Sequence, residues 1–302
     1  MHTIPSIQNL ANFSNNQLEV DMLRLDLVHP IVSGNKWYKL KHHLLAAKAQ
    51  NATLLASFGG PYSNHIVALA HAAKQNGFKS LGYIRANKGE PLTPTIQQAI
   101  HDGMTIQYLG RSSFQERKKH ILQTSSPPHH TYFIEEGGYG ALGTKGITEL
   151  FSSLPLTQYD YILCAVGTGT MMAGLINGAQ MHQKIVGIPV LKKEGSIASE
   201  IRALLIDPSK EFTLLHQFHQ GGYAKTTPAQ IDWMNQFWNL TQIPTDIVYT
   251  GKLIYAFHQL LQSNYFIKDT KILMVHSGGL QGNQSLAKDV LIYPINSHSK
   301  MC

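Results

Sequence analysis

The chain has 302 residues, of which 43% are hydrophobic and 14% charged, with a formal net charge of +7 at neutral pH. This composition excludes a disordered chain and suits one large domain or two medium ones, whose core needs neither disulfides nor a structural metal. The basic residues are scattered, no apolar run reaches 18 residues, and the first residues lack a secretory pattern, so we expect a cytoplasmic protein that binds neither nucleic acid nor membrane.

Short apolar runs alternate with helical patterns along the chain. Nine runs have the length and composition of strands, and most of the segments between them have the spacing of helices. The predicted strands cover residues 22–28, 53–58, 80–84, 105–109, 132–134, 161–166, 184–187, 211–215 and 271–275. Strands that alternate with helices predict an α/β fold with mostly parallel sheets. Nine strands exceed one compact sheet, so we expect two α/β lobes with a cleft between them.

The first two predicted helices each carry an apolar face. In both helices the apolar residues recur at the three- and four-residue spacing of a single helix face. They are Trp37, Leu40, Leu44 and Leu45 in the first helix and Ile66, Leu69, Ala70 and Ala73 in the second.

Three glycine-rich turns follow predicted strands, at residues 57–65 (SFGGPYSNH), 167–170 (GTGT) and 276–279 (HSGG). Glycine at a strand-to-helix turn lets backbone N–H groups approach a ligand, and the start of a helix favours an anion. The GTGT turn is the best phosphate cradle of the three, because two hydroxyls accompany its glycines and a helix follows. It lacks the Gly-Lys-Ser/Thr ending of a P-loop and the third glycine of a dinucleotide-binding turn.

The segment SGNKWYKL, residues 33–40, places two lysines near a predicted helix start. Lys39 follows Lys36 by three residues, so both share one helix face. An ammonium group is unfavourable at the positive end of a helix, and this setting suits a neutral amine or a Schiff base. A capped helix with two solvated lysines explains the spacing equally well.

Metal and disulfide chemistry find little support in the sequence. The two cysteines, Cys164 and Cys302, cannot form a disulfide framework or a cysteine zinc site. The histidines include no H-E-x-x-H motif, and the adjacent His42 and His43 lack the spacing that aims two imidazoles at one ion. We therefore expect no metal site.

Five motifs, in order along the chain, carry a resemblance to a known family. SGNKWYKL, FGGPYSNH, AVGTGTMMAGL, VYTGK and HSGG resemble the 1-aminocyclopropane-1-carboxylate (ACC) deaminase and D-cysteine desulfhydrase family, over residues from about 24 to 283. Its members are pyridoxal-phosphate (PLP) enzymes of the tryptophan-synthase-β-like fold, fold type II. The resemblance implies two open, twisted, mostly parallel sheets flanked by helices, with PLP in the cleft.

The resemblance also implies which residues bind the cofactor. Lys36 would carry PLP as a Schiff base, and Lys39, one turn later, would approach its phosphate. Asn64 would hydrogen-bond the phenolic oxygen of the ring. The remaining cofactor-binding residues would line the phosphate turn and the ring: Gly167, Thr168, Gly169, Thr170, Tyr249, Thr250 and Ser277.

Four residues would take part in catalysis by the same resemblance. Ser63 would face the substrate and its carboxylate, and Tyr249 would stack on the pyridine ring. Tyr223 would reach the substrate as a proton carrier or ring partner, and Lys36 or a nearby hydroxyl would move the α-proton. Without the resemblance, packing in the core is the better interpretation of either tyrosine.

Two positions depart from the ACC deaminases and look like the D-cysteine desulfhydrase branch. ACC deaminases typically carry a glutamate after the stacking tyrosine and a leucine in the third glycine turn, where this chain has Thr250 and Ser277. A carboxylate keeps the pyridine nitrogen protonated and makes PLP a deep electron sink, whereas a hydroxyl leaves a shallower one. The shallower sink supports loss of thiolate more readily than opening of a cyclopropane. The stretch at residues 135–138, Glu-Glu-Gly-Gly, also departs from the family and concerns the substrate pocket.

The sequence therefore predicts a PLP-dependent lyase or deaminase that eliminates the β-substituent of a small amino acid. D-cysteine, giving pyruvate, ammonia and sulfide, is the preferred substrate, and ACC deaminase and a non-catalytic PLP-binding protein are the alternatives. A hydrolase built on Ser63 and His65 is disfavoured, because residues two apart on a helix do not face each other. The larger PLP-binding domain would comprise residues 1–38 and 147–302, and the smaller inserted domain residues 39–146. The resemblance also implies a homodimer.

Overall fold

The computed structural model of the protein describes residues 4–14, 17–124, 130–192 and 195–294, so that Cys302 lies outside the described residues. These residues form ten strands and nine α-helices. The strands are β1 (Ser6–Asn9), β2 (Leu18–Arg24), β3 (Leu54–Gly59), β4 (Lys79–Ile84), β5 (Met104–Tyr108), β6 (Thr131–Ile134), β7 (Tyr161–Val166), β8 (Lys184–Pro189), β9 (Thr213–Leu214) and β10 (Thr270–His276). The helices are α1 (Asn35–Ala49), α2 (Asn64–Gln75), α3 (Pro94–His101), α4 (Phe114–Thr124), α5 (Ala141–Ser152), α6 (Thr170–Gly178), α7 (Ser196–Arg202), α8 (Pro228–Thr241) and α9 (Thr250–Gln262).

The strands form two sheets. The six-stranded sheet has the order β1-β2-β10-β7-β8-β9, and the four-stranded sheet has the order β5-β4-β3-β6. The strand pairs are parallel apart from the pair of β1 with β2. Parallel neighbours need crossover connections, and here helices supply them. The predicted α/β class with two mostly parallel sheets is confirmed.

Apolar side chains cover both faces of each sheet. In β7, Leu163 faces a cluster formed with α8 and α9, and its neighbour Ile162 faces a second cluster formed with α5 and α6. In β3, Leu55 packs with α2 and Phe58 lies in a smaller cluster on the opposite face. Strands that are buried on both faces have continuous apolar sequences, which explains why the central strands were predictable.

The amino-terminal strands differ from the prediction. The strand predicted at residues 22–28 lies four residues earlier, because β2 pairs along its whole length with β10, from Leu18 opposite Thr270 to Arg24 opposite His276. The chain then forms a 3-10 helix at Leu25–Leu27. No strand was predicted at β1, whose four residues are exposed or half-buried and therefore lack an apolar run.

The two predicted helix faces have different outcomes. In α1, Leu45 is 56% exposed, so its assignment to the buried face was wrong. Leu40 is buried as predicted, Trp37 and Leu44 are half-buried, and the other buried positions on this side are His43 and Ala47. The face predicted for α2 is confirmed, since its four members are fully buried: Ile66, Leu69, Ala70 and Ala73.

The four-stranded sheet is inserted in the sequence between β2 and β7 of the six-stranded sheet. Helices α1 and α5 span the predicted domain boundaries and pack closely against each other. A Cβ atom on Gly146 would lie only 2.0 Å from the Tyr38 carbonyl oxygen. The division at residues 38/39 and 146/147 stays a prediction. Within the described ranges, no helix is long and apolar enough to cross a membrane.

Candidate active site

Three glycine turns converge at the carboxyl ends of β3, β7 and β10, where ligands bind in open parallel sheets. The third turn contacts both the start of α1 and the start of α2. A Cβ on Gly34 would lie 1.8 Å from the Ser277 carbonyl oxygen, and the Asn64 amide donates to the Gly279 carbonyl at 3.4 Å. Backbone this close, with Gly34 at φ +71°, requires glycine at position 34. The motifs that are separate in the sequence thus meet at one place.

Lys36 is the second residue of α1 and is held by its neighbour. Its Nζ donates to Asn35 Oδ1 at 2.8 Å, and the Asn35 backbone N–H donates to the Ser277 carbonyl at 2.9 Å. Burial lowers the pKa of Lys36 to about 8, although the Asp246 carboxylate partly opposes this. The geometry favours a reactive amine over a solvated lysine. Asn35, which orients this amine, was not singled out from the sequence.

Lys39 lies one turn further along the same helix and is buried. Its Nζ lies 3.5 Å from the Gly137 carbonyl oxygen, and a Cβ on Gly137 would touch the Thr168 side chain at 3.1 Å. Burial and the nearby Lys36 hold the pKa of Lys39 well below its usual value. Two amines one helical turn apart suit an anionic ligand, which would relieve their mutual repulsion.

The turn between β7 and α6 leaves the start of its helix open. Gly169 occupies the N-cap position with φ +79° and supplies no side-chain cap. The Thr168 and Thr170 hydroxyls lie 3.1 Å apart, and Thr170 is fully buried. The first backbone N–H groups of a helix have no partner within the helix, so this turn offers both N–H and O–H donors to an anion.

The turn between β3 and α2 presents polar side chains. Asn64 Oδ1 is buried and has no hydrogen-bond partner among the residues that the structure describes. Ser63 Oγ caps α2 by accepting from the Ile66 N–H at 3.4 Å. His65 Nε2 lies 2.9 Å from Ser57 Oγ rather than against Ser63, so the hydrolase pair considered from the sequence is not formed.

The start of α9 carries Tyr249 and Thr250. The Tyr249 ring lies against the phosphate turn, because a Cβ on Gly167 would be 3.1 Å from Tyr249 Cε1. Thr250 is fully buried, and its Oγ1 has no hydrogen-bond partner in the described part of the chain. A buried hydroxyl without a partner costs free energy unless a ligand supplies one.

Asp246 fixes this helix start and was missed by the sequence analysis. Its carboxylate accepts three backbone N–H groups, from Val248 and Tyr249 at 2.9 Å and from Thr250 at 2.8 Å. Burial raises the pKa of Asp246 against the opposing effect of these hydrogen bonds. An aspartate a few residues before a predicted helix is an N-cap signal that could have found it.

Tyr223 meets Tyr249 across the opening of the site. The two rings are T-shaped, with centroids 6.3 Å apart. Although 41% of Tyr223 is exposed, burial of its hydroxyl raises its pKa, and burial raises that of Tyr249 much further. Both phenols are therefore protonated at neutral pH.

The Glu-Glu-Gly-Gly stretch lies beside the same opening. Lys118 Nζ lies 2.8 Å from Glu135 Oε2 and 4.0 Å from Glu136 Oε2. The negative charge of Glu136 contributes to the raised pKa of Tyr223, which places this carboxylate near the tyrosine pair. The same stretch contains Gly137, which lies against Thr168, so it borders the candidate site.

These residues fit PLP. The Lys36 amine can form its Schiff base, and the open turn with Lys39 can hold its phosphate. The two unpartnered atoms, Asn64 Oδ1 and Thr250 Oγ1, are available to the polar atoms of its ring. Tyr249 supplies an aromatic surface beside them.

Comparison with known proteins decides the family. The family model described as "Pyridoxal-phosphate dependent enzyme" matches residues 8–278. The chain belongs to this family. It is accordingly a PLP-dependent enzyme, and the predicted cofactor is confirmed.

Two relatives and one solved structure support the resemblance seen in the motifs. A Thermotoga maritima protein, named provisionally as a 1-aminocyclopropane-1-carboxylate deaminase, is 27% identical over 280 residues, covering 86% of this chain and 88% of its own. The mitochondrial bifunctional D-cysteine desulfhydrase/1-aminocyclopropane-1-carboxylate deaminase of Arabidopsis thaliana is 25% identical over 297 residues, covering 88% and 74%. The crystal structure of an ACC deaminase homologue superimposes with a TM-score of 0.81 at 24% identity, covering 93% of this chain and 91% of that one, and supports the fold.

Proposed function

We propose that this enzyme is a lyase that eliminates sulfide from D-cysteine. D-cysteine and one water give pyruvate, ammonia and hydrogen sulfide. The observation that carries the proposal is the buried, unpartnered hydroxyl of Thr250 at the start of α9. ACC deaminase is the alternative, since both activities occur in the names of relatives.

The chemistry that PLP supplies when bound is withdrawal of electrons from the α-carbon of the substrate. Lys36 is the base that removes the α-proton, because burial lowers the pKa of its amine, which increases the fraction in the neutral form near pH 7, and Asn35 holds the amine in place. Tyr223 donates a proton to the departing sulfur, because its hydroxyl is protonated and lies at the opening. The Cβ–S bond breaks with its electron pair on sulfur.

Ser63 and Asn64 orient the substrate and the cofactor at the start of α2. The Ser63 hydroxyl accepts the Ile66 N–H and keeps its own proton available for the substrate carboxylate. The Asn64 amide donates a hydrogen bond to the Gly279 carbonyl, and its unpartnered Oδ1 would be available to the ring of PLP.

Thr250 decides between the two activities. Its hydroxyl can donate a hydrogen bond to an unprotonated ring nitrogen, whereas a carboxylate at this place would keep that nitrogen protonated. Asp246 does not substitute for such a carboxylate, because its oxygens are engaged by three backbone N–H groups. The weaker electron withdrawal suffices to expel a thiolate and disfavours the opening of an unactivated cyclopropane.

The test is a comparison of pyruvate release from D-cysteine, L-cysteine, D-serine and ACC by the purified holoenzyme. We expect kcat/KM for D-cysteine to exceed that for ACC at least tenfold, which corresponds to about 1.4 kcal/mol of transition-state stabilisation. Equal values for the two compounds would overturn the argument from Thr250. Bound PLP without turnover of any of the four would support the non-catalytic alternative.

The attachment site is tested separately. Borohydride reduction followed by peptide mapping should place the pyridoxyl group on Lys36. Its appearance on Lys39 would contradict the assignment, and Lys36→Ala should abolish the labelling. We also propose a homodimer in the cytoplasm, which sedimentation and cell fractionation can check.

A further inference from the structure

Lys252 is a fully buried lysine whose charge the proposed chemistry does not use. Its Nζ reaches three backbone carbonyl oxygens, those of His219 at 2.8 Å, Gly222 at 2.5 Å and Val190 at 3.4 Å. An ammonium group has three N–H donors, so each donor has one acceptor. Burial lowers the pKa of Lys252 to about 8, and the Asp246 carboxylate partly opposes this. At neutral pH the group is mainly an ammonium.

Two of these carbonyls belong to the turn that presents Tyr223. The Gly222 N–H donates to the His219 carbonyl at 3.0 Å, which closes the turn, and Gly222 adopts φ +109°. Tyr223 is the next residue in the chain. Other hydrogen bonds of this segment are local, such as that from Thr227 Oγ1 to Gln220 Oε1 at 2.7 Å. Lys252 therefore ties the turn to the body of the protein.

The same lysine belongs to the helix that carries Tyr249. It lies three residues after Tyr249 in α9, and its backbone N–H donates to the Tyr249 carbonyl at 3.1 Å. One side chain thus joins the first turn of α9 to the segment that precedes Tyr223.

Burying an ammonium is costly, and an apolar side chain of similar length would usually stabilise a fold as well or better. We propose that Lys252 is a positioning residue that holds Tyr223 at the active site, an inference that rests on the proposed function for the role of Tyr223. The cation keeps the Tyr223 hydroxyl within reach of the departing group of the substrate.

The test replaces Lys252 by methionine, which retains the unbranched chain and loses the donors. We expect kcat with D-cysteine to fall at least tenfold, while KM and the dissociation constant of PLP change less than threefold. Lys210→Met is the matched control, because Lys210 Nζ also donates to two backbone carbonyls, those of Ile176 and Ala179, at the other end of α6. It should leave kcat within twofold.

A double variant separates positioning from general stability. If Lys252 acts through Tyr223, Lys252→Met combined with Tyr223→Phe loses no more activity than Tyr223→Phe alone. Fully additive losses would overturn the inference, as would full activity in Tyr223→Phe.

Hydrogen exchange supplies a readout that needs no substrate. In the Lys252→Met holoenzyme the amides of residues 221–226 should exchange at least tenfold faster than in the wild type, while those of α6 stay unchanged. Unchanged exchange at 221–226 would refute the inference whatever the substrate is. Should no amino acid be turned over, the proposed function fails, and this measurement alone decides whether Lys252 holds the turn. Lys252→Gln, which retains two donors, replaces the methionine variant if the latter does not fold, and the same two criteria apply to it.

Discussion

The turns that follow β3 and β7 are built alike and end differently. Each connects a buried parallel strand to a helix through glycine. After β3, Ser63 caps helix α2 with its own hydroxyl by accepting the Ile66 N–H. After β7, Gly169 occupies the same N-cap position in the left-handed region and offers no side-chain cap to α6.

The same strand-turn-helix unit can therefore either present side chains or leave its backbone N–H groups open to an anion, depending on the N-cap residue. A serine cap satisfies an N–H group that an anion would otherwise take. The capped turn can therefore present side chains such as Asn64, and the open turn keeps its N–H donors available to an anion. Buried Lys39 lies beside the open turn, which adds positive charge where the helix already favours an anion.

The largest expected effect is the loss of PLP affinity when a carboxylate is placed in the open turn. The same kind of change in the capped turn serves as the comparison. Thr168→Asp should weaken PLP binding at least 100-fold with little change in the circular dichroism melt, because like charges repel strongly in a partly desolvated turn. Ser63→Asp should change PLP affinity less than fivefold, because aspartate is itself an N-cap residue. Thr168→Asn is the neutral control for size. Equal losses of PLP affinity in the two aspartate variants would contradict the proposal that the phosphate binds at the open turn rather than at the capped one.

A second variant tests the cation beside the open turn. Lys39→Met should weaken PLP binding about tenfold, since the phosphate loses a charged partner. In the cofactor-free protein the same change should raise the melting temperature at pH 7 by a few degrees, because the lowered pKa of Lys39 means that its charged form destabilises the fold. This gain should fade as the pH rises toward the ordinary lysine pKa, where the unfolded chain also loses the proton. A lower melting temperature at pH 7 would contradict the argument.

Thr250→Glu changes the residue that we propose to contact the pyridine ring. It should affect catalysis more than PLP affinity, unlike a change in the proposed phosphate turn. We expect at least a tenfold lower kcat/KM for D-cysteine and a changed absorption spectrum of the bound cofactor, with PLP affinity altered less than in Thr168→Asp. Thr250→Ser retains the hydroxyl and should behave like the wild type. A Thr250→Glu enzyme that releases sulfide at the wild-type rate would remove the basis for substrate choice.

The smallest effect concerns the cap itself. Ser63→Ala should cost about 1 kcal/mol of the free energy of unfolding, a drop of roughly 2–4 °C in melting temperature. Thr93→Ala removes the cap of α3, where Thr93 Oγ1 accepts the Ile96 N–H at 3.2 Å, together with a hydrogen bond from this hydroxyl to the Pro61 carbonyl, and should cost at least as much. The Ser63 variant should also lose activity, whereas the Thr93 variant should retain it. Thermal melts and pyruvate assays of the pair separate capping from catalysis.

The sequence by itself determined the features that depend on neighbours along the chain. The apolar run at residues 161–166 predicts a strand, and the GTGT that follows predicts a phosphate cradle at the start of a helix. The three-residue spacing of Lys36 and Lys39 places both amines on one face of α1. These inferences hold because the strand period, the helix period and the turn conformation are local properties.

Only the tertiary structure decided which distant groups meet. Asn35 holds the Lys36 amine because the Ser277 carbonyl fixes its backbone, and Lys252 binds carbonyls from two other segments. Strand β2 begins at Leu18 because β10 supplies its partner, although residues 25–28 are more apolar than the start of β2. Backbone carbonyls and sheet partners leave no pattern in the sequence of the residue that they bind, since every residue type carries the same peptide groups.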